Sequence, residues 1–295
     1  MDFGRLVTAM VTPFDAGGKI DWEAAERLID YLIEEQLSDS LVIAGTTGES
    51  PTLSDAEKLE LFRFAVKQAK GRCKIIAGTG SNNTAHSIHL THEAEGTGVD
   101  AILLVAPYYS RPSQEGLYQH LKLTAEATKL PIMLYNVPSR TSVNISSQTT
   151  LRLADLPNVV ATKDCGSLDQ LTEIIRDAPE GFDVYSGDDS DTLPIMSIGG
   201  RGVVSVASHI VGKQMKQMIE AFVSGRLQEA SRMHCDLSVV IKSLFDCPHP
   251  VPNPVPVKHA LALCGVPVGG VRLPLVGLTD SEAAYLASRL TSLNG

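Results

Sequence analysis

The 295-residue sequence has no basic excess, no paired-cysteine spacing and no long apolar run, and each absence removes a class of function. Lys and Arg number 25 against 34 Asp and Glu, giving a formal net charge of −9. A nucleic-acid backbone needs a basic face and an anionic membrane needs a Lys/Arg cluster, so neither is an expected partner. No apolar stretch approaches the roughly 20 residues that span a bilayer. The opening MDFGRLVTAMVTPF lacks the basic leader and apolar h-region of a secretory signal. The five cysteines (Cys73, Cys165, Cys235, Cys247 and Cys264) are scattered, odd in number and free of CxxC. They argue against a disulfide framework and a thiolate metal site, and fit a reducing cytoplasm. There is no GxSxG elbow for a serine nucleophile, and the first strand-to-helix turn, MVTPFDAGGK, is not the GxGxxG of a dinucleotide-binding sheet.

What is present is alternation. Short apolar runs at 6–11, 41–45, 74–79, 101–106, 131–137, 159–164, 183–187 and 202–208 read as strands. Most are apolar throughout, as strands buried on both faces of a parallel sheet must be. Amphipathic segments separate them. DWEAAERLIDYLIEEQ carries apolar residues at helical spacing, and SDAEKLELFRFAVKQAK opens on the capping box Ser54–Glu57. SDTLPIMSIGG, after the seventh strand, is shorter and contains proline, so it reads as a weaker helix. Eight such units predict an α/β fold, a closed (β/α)₈ TIM barrel over 1–224. Residues 225–295 read as a small C-terminal helical subdomain, entered through a stiff, extended, proline-rich connector, CPHPVPNPVPV.

Barrel enzymes carry their reactive groups at the C-terminal ends of strands. Lys163 interrupts the sixth strand there. A lysine facing the barrel is desolvated, which favours the neutral amine that attacks a carbonyl; a lysine paired with Asp164 occupies the same position without that chemistry. Tyr135 ends the neighbouring strand, within reach of the Lys163 nitrogen, and a phenol there can shuttle protons for a carbinolamine. GTTGES (45–50) ends the second strand. Gly45 and Gly48 allow backbone N–H groups close to an anion, and Thr46 and Thr47 add hydroxyls suited to a small carboxylate. Arg140, in YNVPSRT, has the fork that grips a carboxylate. Tyr108 and Tyr109 stand together on a strand-end loop, where packing against another subunit is one role. His86, His89 and His92 fall three apart rather than at the i, i+4 spacing of helical metal ligands, and Asp188, Asp189 and Asp191 lack the Gly and distal Glu of a calcium loop. No metal is expected.

The combination SLVIAGTTGESPTLSDAE, YYSRPSQEGLYQH, YNVPSRT, TKDCG, SGDD, GGRGVVSV and PNPVPVKHAL resembles the dihydrodipicolinate synthase family across nearly the whole chain. Related N-acetylneuraminate lyases and keto-deoxy-sugar acid aldolases share its barrel. Arg140 makes the chain look like the synthases, which use that arginine to hold the aldehyde's carboxylate; a lyase acting on a sugar acid or another aldehyde is the alternative. The resemblance implies condensation of pyruvate with L-aspartate-4-semialdehyde on the route to lysine and diaminopimelate, with no cofactor beyond the covalent Schiff base. It gives the Schiff base to Lys163 and a proton relay to Tyr135, Thr46 and Tyr109, the last donated by a neighbouring subunit. Thr47 would hold the pyruvate carboxylate, and Gly187 and Val204 would line the pocket through backbone atoms. A homotetramer, a pair of dimers, is implied. Asp164 and Cys165 depart from the family's usual Glu and small residue. Lys58 and His86 stand where lysine-inhibited members carry a His and a Glu, so an anionic partner for lysine is lost and a cation added.

Overall fold

The computed structural model describes residues 1–291, so the last four positions of the C-terminal segment lie outside the described residues. The chain opens with β1 (Leu6–Ala9), α1 (Trp22–Glu34), β2 (Ser40–Ile43), α2 (Asp55–Ala69), β3 (Lys74–Gly78) and α3 (Thr84–Glu95). It continues with β4 (Ala101–Val105), α4 (Gln114–Ala125), β5 (Ile132–Asn136), the single turn α5 (Pro138–Thr141), α6 (Ser147–Ala154), β6 (Val159–Asp164) and α7 (Leu168–Asp177). Then come β7 (Asp183–Ser186), α8 (Thr192–Ser197), β8 (Gly202–Ser205) and α9 (Ser208–Val223), followed by α10 (Leu227–Ser243), α11 (Val255–Leu263) and α12 (Asp280–Leu290). The eight strands are parallel and close in chain order, β8 pairing with β1. This is the (β/α)₈ barrel expected from the sequence. Apart from β6, which ends at Asp164 as its run does, the strands stop short of the C-terminal ends of the apolar runs, because those residues already turn into the loops that carry the polar groups.

Strand alternation divides each run between two cores. Val7, Val42, Ile76, Leu103, Met133, Ala161, Tyr185 and Val204 point inward and pack with Phe3 as the barrel filling. Leu6, Leu41, Ile43, Ile75, Ile102, Leu104, Ile132 and Leu134 point outward and meet the helices. Each such buried Leu or Ile contributes roughly 1.5–3 kcal/mol relative to exposure. The helices are set by local signals: Asp21 accepts the Ala24 N–H at the start of α1, and the Ser54–Glu57 capping box starts α2. After β8, Leu237, Val240, Ile241, Val257, Leu261 and Leu286 join the outer apolar layer, so α10–α12 pack as an extension of the helical sheath. Among the described residues no helix is long and apolar enough to cross a membrane.

Two local expectations change. The proline-rich connector is not extended throughout: its last three residues form the start of α11, with Pro256 in the first turn. A first-turn proline lacks only an N–H that has no helical partner anyway. Arg140, read as part of a strand end, sits on α5.

His209, buried at the start of α9, ties β1 to β8. Its Nε2 accepts the Val11 N–H at 3.2 Å and its Nδ1 donates to the Val206 carbonyl at 2.8 Å, which fixes a neutral tautomer. Burial holds its pKa down at about 4. An unfolded histidine takes its proton near pH 6.5, so this group withdraws stability as pH falls from about 6.5 to about 4, and no more below that. The melting midpoint should drop across that window, and drop less in His209→Asn, which does not titrate. Parallel pH profiles for the two would show that other groups control acid sensitivity.

Candidate active site

Register brings the two central groups together. In the parallel pairing of β5 with β6, Tyr135 stands opposite Lys163. Tyr135 has the inward parity of Met133, and Lys163 that of Ala161. The Lys163 Nζ lies over the Tyr135 ring, 4.1 Å from its centroid, and both residues are 5% exposed. Among the described residues no carboxylate oxygen lies within 4.0 Å of that nitrogen. Asp164 points to the other face of β6, where it accepts from Asn136 Nδ2 at 2.9 Å, the Gly166 N–H at 2.6 Å and Gln170 Nε2 at 3.1 Å. Burial nevertheless pushes its carboxyl pKa up. The lysine–Asp164 pair considered from the sequence is therefore not formed, and Lys163 is a buried amine without a counter-ion.

Gly187 packs against that amine. A Cβ there would fall 2.3 Å from Cys165 Sγ and 3.1 Å from Lys163 Cε, so only glycine leaves the lysine its place. Desolvation pushes the pKa of the half-buried Cys165 thiol up to about 11, so it remains protonated. Val204 is buried in the barrel filling on β8.

The GTTGES turn is tight for a different reason from the one the glycines suggested. Ala44 and Glu49 take the left-handed conformation, with φ of 53° and 58°. Gly48 is required by close approach: a Cβ would meet the Ala44 backbone and the Met10 carbonyl at 3.1–3.2 Å. Among the described residues no acceptor takes the N–H of Thr46, Thr47 or Gly48. Unpaired amides gathered in one turn are the donor set of an anion site.

A pocket of about 260 Å³ opens over this end of the barrel, walled by Thr46, Gly78, Gly80, Leu103, Tyr108, Tyr135 and Arg140 among others. Arg140 is exposed at its rim, and among the described residues its guanidinium has no ion pair or hydrogen bond. Lys163, Thr47, Gly187 and Val204 do not form the wall; Lys163 touches it through the Tyr135 ring, and Thr47 adjoins it through Thr46 in the chain. Tyr109 is turned away from the pocket's wall, 89% exposed and in the left-handed region at φ 74°.

Sequence reasoning missed the groups that hold the turn from behind. Glu49 pairs with Lys258 of α11 at 2.8 Å, with side chains 1% and 2% exposed. Arg272 donates its backbone N–H to Glu49 at 2.9 Å and its guanidinium to Glu57, whose carboxyl it holds down at about 2. Asn253 Nδ2 donates to Thr47 Oγ1 at 2.9 Å. The available signal was a lone lysine in the apolar segment VPVKHALAL, the same signal that marked Lys163.

The acidic loop after β7 is structural. Asp189 accepts the Val206 and Ala207 N–H groups at 3.0 Å, and Asp188 accepts from Ser190. His86 is engaged with Asp55 at 2.8 Å and with Ser81. Among the described residues no group of three or more His, Cys, Asp or Glu is gathered for a metal.

The sequence profile of the Dihydrodipicolinate synthetase family matches residues 2–293. The 4-hydroxy-tetrahydrodipicolinate synthase of Bacillus subtilis is 56% identical over 295 residues, covering 99% of this chain and 100% of that one. The crystal structure of a dihydrodipicolinate synthase from Bacillus anthracis superposes with a TM-score of 0.96 at 51% identity, covering 99% of each chain. The lysine-bound enzyme of Cyanidioschyzon merolae does so with a TM-score of 0.95 at 44% identity, covering 99% of this chain and 98% of that one. A matching profile across almost every residue, relatives of the same length and a superposable barrel agree: the chain belongs to the dihydrodipicolinate synthetase family.

Proposed function

We propose that the chain is a 4-hydroxy-tetrahydrodipicolinate synthase that condenses pyruvate with L-aspartate-4-semialdehyde in lysine and diaminopimelate biosynthesis. The carrying observation is Lys163, a buried amine with no counter-ion beside a phenol. Its Nζ attacks the pyruvate ketone to give a carbinolamine, and loss of water gives the imine. Removal of a methyl proton makes an enamine, whose carbon bonds to the aldehyde carbon. The new alkoxide takes a proton. The amino group of the adduct then displaces Nζ at the imine carbon, closing the ring and freeing the lysine. One water leaves overall, and no electrons are exchanged.

Tyr135 moves the protons of the carbinolamine steps, with Thr46 beside it on the pocket wall. Tyr109 completes the relay of a second copy, which accounts for a tyrosine held in a left-handed conformation and facing solvent in the single chain; the assembly is a pair of such dimers. Thr47 and the open amides of its turn hold the pyruvate carboxylate. Gly187 keeps the lysine's path clear, and Val204 closes the floor. The chemistry needs no cofactor besides the covalent lysine. The catalytic barrel is 1–224; the helical subdomain, 225–295, secures the threonine turn. The reaction's setting is the cytoplasm.

The unpaired Arg140 at the rim fits the semialdehyde carboxylate. A coupled assay with both substrates, following consumption of the product by its reductase, tests the activity directly. Arg140→Ala should lower kcat/KM for the semialdehyde about 100-fold, as loss of a charged hydrogen-bond pair of roughly 1.5–3 kcal/mol requires, while pyruvate trapping on Lys163 changes little. An equal fall in both would remove Arg140 from this role.

Lysine should inhibit weakly. Lys58 is buried on α2, and burial lowers its pKa against the opposing pull of Asp55. Asp55 is itself taken by His86. The region therefore offers a lysine ammonium the Lys58 side chain and no free carboxylate from these three residues, and like charges repel. Initial rates titrated with lysine should show no sub-millimolar inhibition; potent inhibition would reverse the reading.

A further inference from the structure

The Thr47 hydroxyl has a direction imposed on it from the far end of the chain. Thr47 Oγ1 accepts from Asn253 Nδ2 at 2.9 Å, and the two residues are 3% and 6% exposed. A hydroxyl that accepts from an amide sends its own proton elsewhere. Among the described residues nothing takes that proton, just as nothing takes the N–H groups of Thr46, Thr47 and Gly48. The turn thus carries four donors, three amides and a hydroxyl, with no partner among the described residues. Asn253 does not satisfy itself in this arrangement: its Oδ1 is buried with no partner among the described residues. An apolar residue would fill the same space without an unpaired acceptor, so the one hydrogen bond the amide makes is the donation to Thr47. The contact is also held in register. Glu49, two residues after Thr47, pairs with Lys258, five residues after Asn253, so two buried ties join the same two segments.

We infer that Asn253 is a positioning residue for the pyruvate carboxylate: by donating to Thr47 Oγ1, it commits the Thr47 proton to the anion bound at the turn. The inference rests on the Schiff-base reading above. It makes the C-terminal segment part of the selection of a 2-keto acid. A merely structural tie would lower stability without changing how the site reads a carboxylate.

The test uses the full chain and pyruvate itself, with borohydride trapping on Lys163 as a function of pyruvate concentration. Asn253→Ala should raise the half-saturating pyruvate concentration about tenfold, in line with loss of one hydrogen bond to a charged group. The KM for the semialdehyde and kcat at saturating pyruvate should stay within about twofold. Thr47→Val should raise the pyruvate requirement at least as much, and Thr47→Val/Asn253→Ala no more than Thr47→Val alone, because Asn253 acts only through that hydroxyl. Asn253→Asp keeps the shape but reverses the hydrogen bond and adds a negative charge. It should weaken pyruvate more than Asn253→Ala; Asn253→Leu, which fills the space without an amide or a charge, carries the same cycle should the alanine variant fail to fold. Unchanged pyruvate dependence, additive effects in the double variant, or a fall in kcat alone would each overturn the assignment. An unmutated chain that takes no label overturns the Schiff-base reading itself, a result separate from any of these.

Discussion

Lys163→Ala should take no label from pyruvate and borohydride and should lose turnover by on the order of 10³-fold or more, a barrier increase of about 4 kcal/mol. The unmutated chain should carry a reduced pyruvyl group on the peptide containing residue 163. Lys163→Arg should behave like the alanine variant although it keeps a long basic side chain, because a guanidinium does not lose its proton to become a nucleophile. These variants should not be unstable. Lys163 is buried 4.1 Å from a ring centroid with no carboxylate in ion-pairing reach among the described residues, so the fold gains little from its charge. Lys163→Met, of similar length and apolar, should melt no lower than the unmutated chain, as expected where a site is held against stability. A label on another lysine, or turnover surviving in Lys163→Ala, would end the mechanism. A lower midpoint in Lys163→Met would show that the amine also supports the fold.

Lys258→Met should do the opposite, damaging stability first. The Lys258–Glu49 pair is nearly inaccessible, and Lys258 Nζ also donates to the Gly270 carbonyl and lies 4.3 Å from the Phe14 ring centroid. Burial lowers the lysine's pKa while Glu49 opposes that shift. Removing the lysine leaves a carboxylate buried with the Arg272 N–H as its remaining hydrogen-bond donor. Breaking such a pair costs about 3–5 kcal/mol, which predicts a fall in melting midpoint on the order of 10 °C at matched protein concentration. Lys258→Met/Glu49→Gln removes both charges and should recover most of that loss. Equal melting of Lys258→Met and the unmutated chain would show that the pair contributes nothing. A double variant as unstable as the single would show that the stranded charge is not the cause. Because Glu49 ends the turn carrying Thr46 and Thr47, the single variant should also bind pyruvate less well when assayed below its melting range.

Lys163 shows how far a linear reading reaches. Its place near the end of an apolar run marked it, and strand alternation put it on the face of Ala161. Whether Asp164 neutralised it could not be read from adjacency. The answer depends on Asn136, Gly166 and Gln170, which occupy that carboxylate from another strand, a loop and a helix. Tyr135 was legible as a strand-end phenol, and its place opposite Lys163 follows from the β5–β6 register. Asn253 and Lys258 were hidden by their setting. Five prolines between 247 and 257 drew attention to stiffness, and the polar residues among them looked like connector. Arg140 was marked by its motif, while its freedom from any internal carboxylate became visible only with the fold.

The sequence by itself determined the alternation of strands and helices, the inward parity of Lys163 and Tyr135, and the strand ends at which polar chemistry gathers. These depend on periodicities of about two and 3.6 residues, which are local properties of the chain. Tertiary structure alone decided which charges are paired. It left Lys163 without a counter-ion, gave Lys258 to Glu49 and set Asn253 against Thr47. Partners 206 and 209 residues apart meet only when the barrel closes and α11 packs beneath its second loop. Electrostatics inside a protein follow distance and burial, and neither quantity is defined until the chain has folded.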